Sequence, residues 1–171
     1  AFRVSANDDY VDKYLARYAV DVMKKGKPGL LLENTAWGQS NEAGLGKWLG
    51  DKKVKPVGIE KFNWNDPDMS PQLLRLKGAG ADHVILVANA PEGAQVVKSR
   101  AKIGWEVPII SHWGISGGRF AELTGDLSDG VVFVQTYSFF GKQNERGQAL
   151  LKGLREKYNV KGPEDVIAPV G

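Results

Sequence analysis

At 171 residues, with 42% hydrophobic and 25% charged side chains, the chain has the size of one ordinary domain and can bury a sizeable core without covalent staples. Lys and Arg number 23 against 20 Asp and Glu, a formal charge of +3, and the clusters Lys24-Lys25-Gly26-Lys27 and Lys52-Lys53-Val54-Lys55 have no aromatic residues interleaved, so they read as solvated faces and not as a nucleic-acid patch. The absence of cysteine excludes a disulfide framework, a thiolate nucleophile and a zinc-thiolate site, and no apolar run approaches the roughly 18 residues of a membrane span.

The chain opens on a strand-like "AFRVSA" without Met. From Asp8 to Lys25 it then places Tyr10, Val11, Tyr14, Leu15, Tyr18, Val22 and Met23 at helical spacing, with Asp8 or Asp9 as the expected cap and Gly26 as the stop. Five apolar runs follow, each ending in a polar turn: "PGLLLEN", "KPVGIEKF", "DHVILVAN", "VPIISHW" and "GVVFVQTY". Helical patterns separate them near Gln39 to Asp51, Ser70 to Gly78, Pro91 to Gly104 and Gly118 to Leu123. Ser70-Pro71 reads as an N-cap followed by proline at the first helical position, and "KGAGAD" as a glycine stop. A last helix over Gln143 to Tyr158 repeats leucines at Leu150, Leu151 and Leu154, and residues 159–171 form an apolar tail with no element of its own. Both ends read as cut from something longer, which makes a missing signal peptide uninformative.

Strand and helix alternate about every 25 residues, and the strands are continuously apolar. That pattern predicts an α/β fold: a doubly wound parallel sheet with helices on both faces, three layers in all, formed by residues 1–171 as a single lobe. Right-handed crossovers bring every strand's carboxyl end to one edge, where ligands bind. The segments following the strands are Asn34-Thr35-Ala36-Trp37-Gly38, Asn63-Trp64-Asn65-Asp66, Asn89-Ala90-Pro91-Glu92, Ser111-His112-Trp113-Gly114 and Gln135-Thr136-Tyr137-Ser138. Three of the five tryptophans sit there, beside amides and hydroxyls, which is the chemistry of a small-molecule site. Each tryptophan alone has a simpler account as a lid over its own core, Trp64 most readily; their coincidence on one edge favours the site.

Sharper motifs compete with that reading. Gly114-Ile115-Ser116-Gly117-Gly118 matches the G-x-S-x-G nucleophile elbow between a strand and a helix, and would make the chain a serine hydrolase using Ser116. Such a triad needs a histidine later in the chain, yet His83 and His112 both precede Ser116. No phosphate-loop or dinucleotide fingerprint follows any strand, and the two histidines lack metal-ligand spacing, so no cofactor and no metal are expected. His83, opening a strand, reads as a half-buried structural residue.

The stretches "FRVSANDD", "ENTAWGQSN", "NDPDMSPQLLRLKGAGADHVILVANAPEGAQVVKSRAKIGWEVPIIS" and "SHWGISGGRFAELTGDLSDGVVFVQTYSFF" resemble the periplasmic solute-binding proteins of branched-chain amino acid type ABC importers. The resemblance runs over nearly the whole chain and rests on the succession of blocks. It implies one lobe, the second in chain order, of a two-lobed type I periplasmic-binding fold that closes on its ligand without covalent chemistry, in the periplasm or on an anchored extracellular face, and delivers it to ABC permease subunits. In similar proteins the aromatic residue before the first loop's glycine, here Trp37, packs on the ligand, and the loops holding Asn89 and Ala90 and holding His112 and Trp113 also face the cleft; the strand-end segments add Asn34, Thr35 and Tyr137 to the expected site. Amino-acid binders commonly offer a carboxylate where this chain has His112 and Trp113. Two ligand classes therefore stay open: an amino acid or derivative, with Glu92 or Asp66 supplying the charge, and an aromatic or other small carboxylate, amide or urea-like solute. A ligand-sensing domain of a receptor or regulator is the alternative role. An exposed cleft edge is also expected to favour self-association.

Overall fold

The computed structural model describes residues 7–117, 119–135 and 141–162. In chain order, the elements that shape the lobe are α1 (Asp8–Arg17), β1 (Pro28–Glu33), α2 (Ala36–Asp51), β2 (Gly58–Phe62), α3 (Ser70–Gly78), β3 (His83–Val87), α4 (Ala90–Lys102), β4 (Ile109–Ser111), α5 (Phe120–Thr124), β5 (Val132–Phe133) and α6 (Glu145–Tyr158). All four strand pairings are parallel, and the sheet order is β2-β1-β3-β4-β5. The chain leaves β1 toward one edge and later fills the other side from β3 outward. The order therefore reverses between β1 and β3, and the carboxyl ends of those two strands border the switch-point crevice.

The continuous apolar runs are explained by burial on both faces. Leu30 and Leu32 of β1, Ile85 and Val87 of β3 and Ile110 of β4 face one core with Val11, Leu15, Leu45 and Leu49 of α1 and α2. Leu31, Val84, Leu86 and Ile109 face the other, with Leu73, Leu76, Val96, Val97 and Phe120 of α3, α4 and α5. Successive strand residues alternate between the two cores, as the period of two requires. Each wholly buried leucine in this arrangement contributes roughly 1.5–3 kcal/mol.

Several boundaries differ from the sequence expectation for local reasons. Asn7, not Asp8 or Asp9, caps α1, its Oδ1 accepting from the Asp9 N–H at 3.1 Å. The helix continues as a π-helical turn over Tyr18–Val22, and Lys24 in the left-handed region (φ 57°) turns the chain before Gly26 is reached. Ser70 is the first residue of α3; Asp68 Oδ1 accepts from its N–H at 2.8 Å. The α2 helix begins at Ala36, three residues before the expected Gln39, so Trp37 lies in its first turn. The α5 helix begins at Phe120, since Arg119 precedes it in the left-handed region (φ 62°). Among the described residues of the last expected strand only Val132–Phe133 form a strand, and in α6 only Gly147 is buried.

Two close approaches fix the layer formed by α1 and α2. A Cβ on Gly38 would lie 1.7 Å from the Glu33 carbonyl oxygen, so only glycine lets α2 start directly against the end of β1. A Cβ on Gly44 would lie 2.0 Å from Asp12 Oδ2, and Asp12, 1% exposed, is pressed into the α1–α2 interface. Burial, with Asp8 and Asp9 nearby, pushes the Asp12 carboxyl up to about 8, so it enters the fold protonated at neutral pH. Because its folded pKa lies above its ordinary value of 3.8, its contribution is complete below that value and is lost as pH rises through about 8. Replacing Asp12→Asn is expected to remove this loss. In urea unfolding, the stability of the variant relative to the native chain should rise by more than about 1 kcal/mol between pH 5 and pH 9, and a difference that does not change with pH refutes the assignment. Gly38→Ala is expected to cost on the order of 2–4 kcal/mol in the same assay, because the clash is with backbone.

Candidate functional site

At the carboxyl end of β1, an otherwise apolar strand finishes in Glu33, 2% exposed. Its two carboxylate oxygens bridge the crevice. Thr35 Oγ1 donates to Oε1 at 2.9 Å, and Asn89 Nδ2, from the loop after β3, donates to Oε2 at 3.1 Å. Thr35 and Asn89 are the N-cap residues of α2 and α4, so the carboxylate stands between two helix N-termini, where negative charge is favoured. The Thr35 hydroxyl also accepts from the Gly38 N–H at 3.3 Å and is fully engaged below the edge.

Above this bridge three rings pack together. Trp37 meets His112 edge to face at 5.1 Å and Trp113 at 5.9 Å, while His112 and Trp113 lie 5.4 Å apart. A Cβ on Gly114 would lie 2.8 Å from the Trp37 ring and 2.3 Å from the Ala88 carbonyl, so glycine here makes room for the indole. His112 is wholly buried, and neither ring nitrogen makes a hydrogen bond; its Nε2 lies 3.5 Å from Asp8 Oδ1. Desolvation drives its pKa down to about 3, so at neutral pH it is an uncharged third ring.

Asp8, Trp37, Asn89 and Trp113 line a cavity of about 220 Å³ on this edge. Its polar lining is an acceptor carboxylate and an amide, and its apolar lining is two indoles, an arrangement suited to a group that donates hydrogen bonds or carries positive charge. A larger groove of about 640 Å³ lies between α1 with its π-helical continuation and the β4–β5 side of the sheet, lined by Tyr14, Tyr18, Val22, Ile110 and Phe133. It is mainly apolar, with Arg17 at its rim, and lies away from the crevice between β1 and β3.

Of the residues expected in the site, the structure brings Trp37, Asn89 and Trp113 to the cavity wall, with His112 packed behind them. Thr35 supports the edge from below; Ala90 is buried at the start of α4; Asn34 donates through Nδ2 to Asn63 Oδ1 at 3.0 Å. Tyr137 lies outside the described residues. The two carboxylates considered as charge donors lie elsewhere. Asp66 Oδ2 accepts from the Asn63 N–H at 2.8 Å within its own turn, and Glu92 is buried beside the Asn65 N–H at 3.5 Å. Asp8 and Glu33 escaped sequence reasoning, Asp8 because an acid at a helix start reads as a cap. Trp64, 63% exposed, covers no core. His83 is fully buried rather than half-buried, with Nδ1 2.6 Å from Asp82 Oδ1. Ser116 ends a short 3-10 turn over Trp113–Ser116, and neither histidine is hydrogen-bonded to it.

Known proteins share the fold described above. A family model described as "Periplasmic binding protein" matches residues 1–169. Leu/Ile/Val-binding protein homolog 1 of Brucella abortus is 26% identical over 156 residues, covering 91% of this chain and 42% of the relative. The leucine-, isoleucine-, valine-, threonine-, and alanine-binding protein of Pseudomonas aeruginosa is 20% identical over 156 residues, covering 91% of this chain and 41% of that protein. Among solved structures, a periplasmic binding protein type 1 from Bordetella pertussis superposes with a TM-score of 0.83 at 21% identity, over 93% of this chain and 44% of that one. A leucine binding protein from Thermotoga maritima gives 0.80 at 16% identity, over 93% and 45%. The chain thus spans less than half the length of the relatives it matches. With the family model matched over nearly its full length and the same parallel-sheet fold, the chain belongs to the periplasmic binding protein family.

Proposed function

We propose that the chain is one lobe of an extracytoplasmic solute-binding protein that serves an ABC importer, and that its cavity receives the ammonium end of an amino acid or related amine. The observation that carries this reading is the lining of the switch-point cavity by an acceptor carboxylate, Asp8, and two indoles, Trp37 and Trp113. Desolvating an ammonium ion costs several kcal/mol unless it meets a charged or strongly accepting partner, and Asp8 supplies one on this edge. Indole faces add about 0.5–2 kcal/mol to a cation or pack on an apolar ligand side chain. Neutral His112 places no positive charge against an ammonium group. One relative is by name a leucine-, isoleucine-, valine-, threonine- and alanine-binding protein, and another is named as a homolog of a Leu/Ile/Val-binding protein, which supports the same ligand class.

In this reading the cavity is half of a site. A cavity of about 220 Å³ is smaller than the roughly 300–1,000 Å³ of complete ligand pockets, and the remainder of the longer protein supplies the opposing wall. The ligand bridges two lobes, shifts the population from open to closed, and the closed form is what the permease receives. No bond is made or broken.

The reading is tested by calorimetric titration of the full-length protein with L-leucine, 3-methylbutylamine and 4-methylpentanoate, which share a branched alkyl chain and differ in the ammonium and carboxylate groups. L-Leucine is expected to bind, and the carboxylate lacking an ammonium group to bind at least tenfold more weakly; preference for 4-methylpentanoate over L-leucine would overturn the proposal. Trp37→Ala is expected to weaken L-leucine by about 1–3 kcal/mol without loss of folding. Asp8→Asn is expected to weaken L-leucine and 3-methylbutylamine at least tenfold while leaving 4-methylpentanoate unchanged.

A further inference from the structure

Asn89 occupies the N-cap of α4 but makes no side-chain cap bond. An N-cap asparagine ordinarily accepts from the backbone N–H of the second or third helical residue, a bond worth about 1 kcal/mol. In α4 the second helical residue is Pro91, which has no N–H, and the Asn89 side chain turns instead to Glu33, donating from Nδ2 at 3.1 Å. A carboxylate can only accept. The NH2 group of Asn89 must therefore face Glu33, which leaves Oδ1 as the end of the amide outside that contact, on a residue that borders the cavity with Asp8, Trp37 and Trp113. Glu33 is held in turn by the Thr35 hydroxyl and is almost without solvent access, so its own orientation is set by the fold.

We propose that Glu33 is a positioning residue of the ligand site: by binding the NH2 group of Asn89 it offers the carbonyl oxygen of that amide, and not its N–H groups, to the ligand, and so biases the cavity toward solutes that present N–H donors and away from carboxylates. The inference rests on the amine-binding reading above and adds to it a buried residue, 56 positions earlier in the sequence than Asn89, that controls which face of an amide the ligand meets. A solely structural carboxylate would stabilise the crevice without affecting the choice between ligands.

The test uses Glu33→Met, which keeps an unbranched side chain of similar length and removes both acceptors, and Glu33→Gln, which retains one acceptor oxygen for Asn89. In the full-length protein, Glu33→Met is expected to reduce the preference for L-leucine over 4-methylpentanoate at least tenfold, and Glu33→Gln to restore part of that preference. Glu33 acts through Asn89, so Glu33→Met should have no further effect on the preference in an Asn89→Ala background. Equal losses for both ligands, or additive effects in the double variant, would overturn the assignment. Hydrogen exchange of the Asn89 side-chain amide, followed by NMR without ligand, gives a reading that holds even if the native protein binds neither probe and the amine reading fails. Slow exchange in the native protein that becomes fast in Glu33→Met supports the Glu33–Asn89 coupling; exchange equally fast in both sinks it.

Discussion

The edge is organised by a carboxylate that water hardly reaches. Glu33 ends a strand whose other residues are Pro, Gly and Leu, and burying a carboxyl group there is costly unless hydrogen bonds and favourable dipoles replace its hydration. The fold provides both: a hydroxyl and an amide as donors, each from the N-cap residue of a helix whose positive end points at the same place. The arrangement requires β1 and β3 to be neighbours with their helices leaving on opposite faces, which is what the order β2-β1-β3-β4-β5 achieves. It also requires the first turn of α2 to sit on the Glu33 carbonyl, which only glycine at position 38 permits. Sheet order, helix starts and glycine position thus serve one bridge across the crevice.

The electrostatics of the cavity follow from that construction. Asp8 and Asn89 contribute acceptor chemistry, and His112, packed among the rings, is held neutral by burial. Its unfolded form takes up a proton below about pH 6.5 while the folded form resists until about 3, so acidification across that interval works against the folded state. Asp12 has the opposite dependence, losing its contribution as pH rises toward 8. The packing of α1 against α2 and of the ring cluster against the edge is therefore strained from opposite ends of the pH scale.

Much of this fold was legible because burial on both faces leaves a direct trace: runs such as "PGLLLEN" and "DHVILVAN" cannot be half-exposed strands, and the carboxyl-end rule then locates the site edge. Trp37, Asn89 and Trp113 follow from that rule. The rest depended on contacts with no local signature. Asp8 reads as a helix cap because its relation to the cavity depends on how α1 packs, while Asn7 takes the cap. Glu33 reads as a strand end because one of its partners lies 56 residues away. The early start of α2 was hidden by Thr35, whose hydroxyl bonds both to the helix and to Glu33, so that Trp37 belongs to a capped first turn and not to a loop.

On the proposed reading, this fixed helix start bears on how a half-site can work. A wall that had to order two indoles and an amide on meeting its ligand would lose on the order of 0.5–1.5 kcal/mol for each side chain immobilised. Here the order is already present: Trp37 is set by the helix start and by the space at Gly114, His112 fills the volume beneath the indoles, and the Asn89 amide is tied by Glu33. On the proposed reading, ligand contact with this wall adds little further ordering, and the free energy of binding remains available to favour the closed form. On the same reading, the preorganisation explains how selectivity can reside in a residue that never meets the ligand. When the contacting groups cannot turn, the buried group that fixes their orientation also sets which ligands they accept.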